Sequence, residues 1–181
     1  MNERAVGAVA NPADHRLAET IAVETGELLV EFREQAFSQP YSPWAVQDEA
    51  DQMAHRFIVQ RLADERPDDE VLSEEGHDDR ARLGHDRVWI VDPLDGSNSY
   101  SDKGADDWAV HIALAIDGQP ECGAVAMPSL GDVVSTAEPA TVPPSLRERP
   151  LIVVSRQTWH WHGYELEAAL DADVVGFGSA G

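Results

Sequence analysis

The chain has 181 residues, of which 43% are hydrophobic and 26% charged, a composition typical of a folded globular protein. Its formal net charge of −21 repels nucleic acid polymers and anionic membranes, so we expect neither as a partner, and it attracts divalent cations. A single cysteine, Cys122, excludes an internal disulfide, and the lack of a signal peptide or membrane span makes the cytoplasm the expected location.

Two amphipathic helices are predicted at the start of the chain. Asn11-Pro12 is a helix start, an N-cap followed by proline in the first turn. Apolar residues at spacings of four and seven predict that this helix continues to about Phe37. The prolines within 39–43 are predicted to separate this helix from the next. A second helix is predicted from near Asp48 to just before Pro67, because a residue that precedes proline disfavours helix.

After the second helix, the spacing of hydrophobic residues changes to the alternation that is typical of β-strands. Strands are predicted at 70–73, 87–91, 108–116, 123–126 and 132–135. The strict alternation over 108–116 is typical of a strand with one buried face. The turn signal Asp117-Gly118 predicts a hairpin into the strand that follows it. Two helices followed by several strands predict an α+β layered fold.

A proline-rich, polar segment at 139–150 is predicted to be a linker between domains at 1–138 and 151–181. The second domain is predicted to contain a strand at 151–154, a helix at 157–170 and a strand at 173–177. This order opens a parallel βαβ unit. Such a unit leaves apolar faces uncovered, so we expect the second domain to be incomplete and the protein to be capable of forming a homo-oligomer.

The strongest candidate for chemistry is the run Asp92–Ser97, which follows a predicted strand with the sequence Asp-Pro-Leu-Asp-Gly-Ser. The carboxylates of Asp92 and Asp95 and the carbonyl of Leu94 are hard oxygen donors of the kind that Mg²⁺ prefers. Gly96 permits a sharp turn, after which backbone amides can bind an anion. The alternative is a surface Asp-Gly turn. An EF-hand is excluded because Leu94 and Gly96 stand where that loop needs oxygen ligands.

Two weaker signals lie upstream of this run. Glu74 and Glu75 follow a predicted strand, where paired acids either bind a metal or form a solvated edge. Asp51 lies in the first turn of the predicted second helix, where the helix dipole favours an acid whatever its function. Elsewhere, His111 could be a ligand, but a histidine on a strand is more often solvated or packed, and we expect Trp44 to pack rather than contact a purine ring.

The end of the chain carries a different motif. Gly176 to Gly181 has the form Gly-x-Gly-x-x-Gly after a predicted strand. A dinucleotide-binding fingerprint also needs a following helix and an acidic residue about twenty positions further on. Neither is present within the 181 residues, so dinucleotide binding is a minor alternative.

Three motifs in this order resemble one family of enzymes. They are Glu49-Ala50-Asp51, Val71 to Glu75, and Trp89 to Ser97. The chain is similar, from about residue 12 to 181, to the Mg²⁺-dependent, lithium-sensitive phosphatases of the inositol monophosphatase superfamily. The run Asp107–Leu114 and the context 72–79 most resemble its CysQ branch, the 3'(2'),5'-bisphosphate nucleotidases. These convert 3'-phosphoadenosine 5'-phosphate to AMP and phosphate.

The resemblance implies a fold, a cofactor and a set of metal ligands. The fold is the layered α/β sandwich of inositol monophosphatase and fructose-1,6-bisphosphatase, truncated here in its second domain. Glu74, Asp92 and the Leu94 carbonyl would hold one Mg²⁺, and Asp92 and Asp95 a second, with two or three ions in all. Two close cations activate water and neutralise charge on the entering and leaving oxygens of a phosphoryl transfer.

The resemblance also implies catalytic and substrate-binding residues for a small phosphate ester. Asp51 and Ser97 would orient and deprotonate the attacking water, and the amides of Gly96 and Ser97 would hold the phosphate. The second domain would contribute Gly178, Ser179 and Ala180 to the substrate pocket.

Two departures from the family pattern affect these expectations. The family's later Trp-Asp motif has no match in the 181 residues, so we expect this polypeptide alone to be weakly active or inactive. A catalytically inactive relative with a binding or regulatory role is the corresponding alternative. Asn98 and Ser99 stand where CysQ-like members often carry a basic and an acidic residue, which leaves inositol and sugar phosphates as alternative substrates.

Overall fold

The computed structural model of the protein describes residues 9–76, 80–141, 144 and 147–178. The chain divides into two compact units, with the division after Ala140. The first unit contains helices packed on one sheet, and the second contains two strands and a helix. Within the described ranges, no helix is both long and apolar enough to cross a membrane.

The first helix, α1, has the predicted bounds, Pro12–Phe37. Its N-terminus is closed by a capping box, in which the Asn11 side chain accepts from the amides of Ala13 and Asp14, and the Asp14 carboxylate accepts from the Asn11 amide at 3.0 Å. The second helix, α2, comprises Pro43–Glu65 and begins five residues earlier than predicted. Pro43 starts the helix instead of preventing it, because the first helical position needs no amide donor.

Five strands form the sheet of the first unit. They are β1 Glu70–Ser73, β2 Arg87–Asp95, β3 Ala109–Ile116, β4 Gln119–Met127 and β5 Asp132–Ser135. The spatial order is β1-β2-β3-β4-β5, in which β1 and β2 are parallel and the other neighbours antiparallel. A short helix, α3 (Ser97–Tyr100), connects toward β3. The predicted α+β layered fold is therefore confirmed.

The core of the first unit lies between the helices and one face of this sheet. Helix α1 packs on β3 and β4, and α2 packs on β2. The largest buried side chains are Trp89, Trp108, Tyr100, Ile21, Leu29 and Ile58. On β3 the buried side chains alternate with partly exposed ones, and the face opposite α1 and α2 includes the partly exposed His111.

The second unit is a parallel βαβ unit, as predicted. It consists of β6 Leu151–Ser155, α4 Arg156–Leu170 and β7 Asp173–Phe177, with β6 and β7 paired in parallel. The Ser155 side chain caps α4 by accepting from the Thr158 amide at 3.1 Å. Part of the predicted linker at 139–150 lies outside the described residues, and the linker stays a prediction.

Candidate active site

A β-bulge in β2 places Asp92 and Asp95 on the same face of the sheet. Asp92 pairs with His111 of β3, whereas Asp95 pairs with Ala109, so three steps along β2 correspond to two along β3. In a regular strand, side chains three positions apart point to opposite faces. The inserted residue cancels that difference. The two residues between the acids are buried, and both acids are left partly exposed.

The parallel pairing of β1 and β2 positions Glu74 beside Asp92. Ser73 pairs with Val91, and the Glu74 amide continues the ladder by donating to the Val91 carbonyl at 3.2 Å. Parallel strands present their carboxyl ends at one edge of the sheet, which is where ligands commonly bind in α/β folds. Glu74 and Glu75 are exposed in the turn that leaves β1.

Asp51 of α2 faces this edge of the sheet. Burial is the main reason that the pKa of its carboxyl is raised to about 7, and the negative charges of Glu75, Asp92 and Glu74 raise it further. We refer to Asp51, Glu74, Glu75, Asp92 and Asp95 as the acidic cluster. The effect of these charges on Asp51 shows that α2 and the ends of β1 and β2 bring the acids into one region.

His55 joins α2 to the end of β1. Its Nδ1 atom forms a hydrogen bond of 2.8 Å with the Ser73 hydroxyl. His55 lies one helical turn after Asp51, and Ser73 immediately precedes Glu74. This contact therefore sets the distance between two members of the acidic cluster, and nothing in the sequence pattern indicated it.

The pKa of the Asp92 carboxyl is also raised. Burial raises the pKa of its carboxyl to about 6, with further increases from the charges of Glu74 and Asp95. His111 and the Leu94 amide, which donates to Asp92 Oδ1 at 3.2 Å, act in the opposite direction. Carboxyl groups that resist ionisation in this way are stabilised in the ionised form by a nearby cation.

The acidic cluster fits a hard divalent cation by the chemistry of its donors. Its side chains offer carboxylate oxygens, which Mg²⁺ and Ca²⁺ prefer. Among residues 9–76, 80–141, 144 and 147–178, no three His, Cys, Asp or Glu side chains already stand together as a metal-binding group. The backbone thus brings the donors into one region without the side chains being closed around a common point.

Gly96 forms the turn that follows the bulge. Its φ angle is +82°, and a Cβ atom there would lie 2.9 Å from the Asp107 carbonyl oxygen and 3.3 Å from Trp108 Cα. Any other residue would therefore meet both a strained backbone and a steric clash. Ser97 begins α3 directly after this turn.

Arg33 of α1 holds α3 at its opposite end, and sequence reasoning did not single it out. Its Nε donates to the Tyr100 carbonyl at 2.7 Å, and its Nη2 donates to the carbonyls of Asp102 and of Ala105, the latter at 2.8 Å. The bond to Tyr100 satisfies a carbonyl of the last helical residue, and the other two join α1 to the loop that follows α3. Its guanidinium also lies over the rings of Phe37, Tyr100 and Trp108.

Two further predictions concern the segment after β7 and the side chain of Trp44. Gly178 follows β7 in the second unit, and Ser179 and Ala180 lie outside the described residues, so the substrate-binding role of this segment stays a prediction. Trp44 is 71% exposed in the first turn of α2. The expectation that Trp44 packs is therefore wrong.

Comparison with known proteins identifies the class to which this fold and site belong. The model of the inositol monophosphatase family matches residues 4–156, and the chain belongs to that family. Among its relatives is a 3'-phosphoadenosine 5'-phosphate phosphatase of Mycobacterium bovis, 44% identical over 176 residues that cover 87% of this chain and 61% of that protein. The protein of that name from Mycobacterium leprae is 42% identical over 93% of this chain and 66% of its own length.

Solved structures agree on the fold. Inositol monophosphatase II from Staphylococcus aureus aligns with a TM-score of 0.72 at 21% identity, over 93% of this chain and 68% of that one. CysQ from Bacteroides thetaiotaomicron aligns with a TM-score of 0.67 at 24% identity, over 93% of this chain and 73% of its own. The chain spans less than two thirds of the length of the mycobacterial relatives.

Proposed function

We propose that this chain carries the metal- and phosphate-binding part of a Mg²⁺-dependent phosphomonoesterase acting on 3'-phosphoadenosine 5'-phosphate. The observation that supports this most strongly is the acidic cluster at the ends of β1 and β2, where burial and like charge raise the pKa of Asp51 to about 7 and that of Asp92 to about 6. Perturbed carboxyl groups at a strand edge are typical of functional sites. The choice of substrate follows the names of the mycobacterial relatives.

In the proposed site, Glu74, Asp92 and the Leu94 carbonyl would hold one Mg²⁺, and Asp92 and Asp95 would hold a second. A count of two or three ions is part of the proposal. Bound Mg²⁺ supplies Lewis acidity, which favours deprotonation of water and neutralises charge on the phosphate oxygens. It also allows a protein with a net charge of −21 to accept an anionic ester.

The proton and the phosphate are handled by other residues of the first unit. Asp51 and Ser97 orient the attacking water, and Asp51 accepts its proton through the Ser97 hydroxyl. A carboxyl whose pKa lies near neutrality is suited to this exchange. The amides of Gly96 and Ser97 hold the phosphate, and the contact of Gly178, Ser179 and Ala180 with the substrate stays a prediction from the sequence.

Inositol or sugar monophosphates are the second candidate substrates, because of Asn98. Its side-chain oxygen accepts from Gln47 Nε2 at 3.2 Å, and the same Gln47 amide donates to the Ser101 hydroxyl at 2.7 Å. Neutral hydrogen-bonding groups next to Ser97 suit a polyol better than they suit a second phosphate. A relative without activity, used for binding or regulation, is the remaining alternative.

The test is phosphate release from a panel of esters by the purified protein, with and without Mg²⁺. We expect release from 3'-phosphoadenosine 5'-phosphate to require Mg²⁺ and to exceed release from inositol 1-phosphate and from glucose 1-phosphate. Asp95→Asn should abolish release, and Asp64→Asn, at an exposed position of α2, should leave it unchanged. Release that is independent of Mg²⁺, or unaffected by Asp95→Asn, would contradict the mechanism.

The same assay decides between the alternatives. Preference for the inositol or glucose ester would replace the nucleotide as substrate and keep the mechanism. Absence of release from every ester would support the inactive relative.

A further inference from the structure

His111 of β3 contacts Asp95, a residue of the acidic cluster. Its Nε2 lies 3.2 Å from Asp95 Oδ2, and the two side chains are 28% and 18% exposed. In the tautomer that carries the ring hydrogen on Nε2, this atom donates and the Asp95 carboxylate oxygen accepts. The sequence favours a solvated or packed histidine at this position, with a role as a ligand as the alternative.

The bulge in β2 is the reason that His111 can reach Asp95. His111 pairs directly with Asp92, and Ala109, two positions away on β3, pairs with Asp95. Residues two apart on a strand share a face. His111 and both acids therefore lie on the same side of the sheet, opposite to the side that α1 and α2 cover.

We propose that His111 is a positioning residue for Asp95. Its hydrogen bond to Oδ2 fixes the plane of the carboxylate in the orientation in which Asp95 binds a divalent cation. This inference rests on the proposed function, because it takes Asp95 as a cation ligand. Direct binding of Mg²⁺ by the imidazole is disfavoured, since Mg²⁺ prefers oxygen ligands. Groups that orient a metal ligand in this way change metal affinity when they are removed.

The test measures Mg²⁺ binding to the protein by isothermal titration and by thermal shift, at constant ionic strength and pH 8. We expect His111→Phe to weaken Mg²⁺ binding about tenfold, within the range found for partners of metal ligands. His111→Gln should restore most of the affinity, because its amide can donate from a similar position. The matched control is His85→Phe, which removes the histidine of another histidine–carboxylate pair, His85 and Glu70 at 3.5 Å, and should leave binding unchanged.

A double-mutant cycle separates positioning from general loss of stability. If His111 acts through Asp95, then His111→Phe should weaken Mg²⁺ binding no further once Asp95→Asn is present. Far-UV circular dichroism verifies that each variant is folded, and His111→Gln serves if the Phe variant is not. An independent, additive loss in the double variant would overturn the proposal.

The same measurements test the metal site and the role of His111 separately. If the unaltered protein and Asp95→Asn bind Mg²⁺ equally weakly, the metal site and the role of His111 are both rejected. If Asp95→Asn loses affinity and His111→Phe does not, the metal site stands and the role of His111 alone is rejected.

Discussion

Arg33 Nε donates a hydrogen bond of 2.7 Å to the carbonyl of Tyr100, which joins α1 to the last residue of α3. The Tyr100 hydroxyl makes a second link to α1 by donating to the Leu29 carbonyl at 2.7 Å. A helix of one turn cannot hold its own conformation in water. The position of Ser97, at the other end of α3, therefore depends on α1.

Arg33→Met should lower the free energy of unfolding by about 2–3 kcal/mol, because several hydrogen bonds from a partly buried charged group are lost. Arg33→Lys keeps the charge without the planar fork and should be destabilised less than the Met variant. The measurement is urea denaturation followed by circular dichroism. Arg56→Met, at an exposed position of α2, is the control and should change stability by less than about 0.5 kcal/mol. Equal effects at the two positions would contradict the role assigned to Arg33.

Gly96→Ala should destabilise the protein more than Gly118→Ala. Both glycines have positive φ, at +82° and +71°, but a Cβ at Gly96 would lie 2.9 Å from the Asp107 carbonyl and one at Gly118 would meet nothing within 4 Å. Gly118→Ala bears only the left-handed backbone cost of about 1 kcal/mol, whereas Gly96→Ala also displaces the turn, for a total of about 3 kcal/mol. Thermal denaturation of both variants measures the difference, which should vanish if the turn tolerates a side chain.

The stability of the metal-free protein should fall as pH rises from about 4 to about 7. The pKa of Asp51 is 3.8 when unperturbed and about 7 in the folded protein. The folded state therefore holds an additional proton in this range, and the stabilisation, complete below pH 4, is lost as pH rises through 7. Asp51→Asn should accordingly raise stability at pH 8 by about 1–2 kcal/mol, allowing for partial exposure.

Urea denaturation of the metal-free protein at pH 4 and pH 8 measures this effect. At pH 4 the Asp51→Asn variant and the unaltered protein should differ little, since Asp51 is protonated in the folded state. The control, Asp64→Asn, changes an exposed acid of the same helix and should show no such dependence. A pH-independent effect of Asp51→Asn would show that its pKa is not raised.

Mg²⁺ should raise the melting temperature more at pH 8 than at pH 5.5. At the lower pH, Asp51 and Asp92 are largely protonated, because their pKa values are about 7 and about 6, and protons compete with the cation. A ligand that binds only the folded state stabilises it by RT ln(1 + [L]/Kd), so weaker Mg²⁺ binding at the lower pH gives a smaller shift. NaCl at matched ionic strength controls for general screening of the acidic chain. Equal shifts with Mg²⁺ and NaCl at both pH values would count against a specific site.

Local sequence signals predicted most of the secondary structure. Asn11-Pro12 set the start of α1, and Asp117-Gly118 formed the predicted hairpin between β3 and β4. Each signal acts within a few residues and depends on capping or turn geometry. The prediction for Pro43 is wrong because proline interrupts a helix at interior positions but is favoured at its first position. Only the neighbouring structure distinguishes the two cases.

The sequence by itself determined which residues are chemically capable of a metal and phosphate site, because carboxylates, a Gly-Ser turn and their order can be read without coordinates. The tertiary structure decided their arrangement. The bulge that turns Asp92 and Asp95 to one face depends on pairing with β3, and the contacts of His111 and Arg33 join residues far apart along the chain. Such contacts depend on register and helix packing across long sequence separations, for which a local pattern contains no signal.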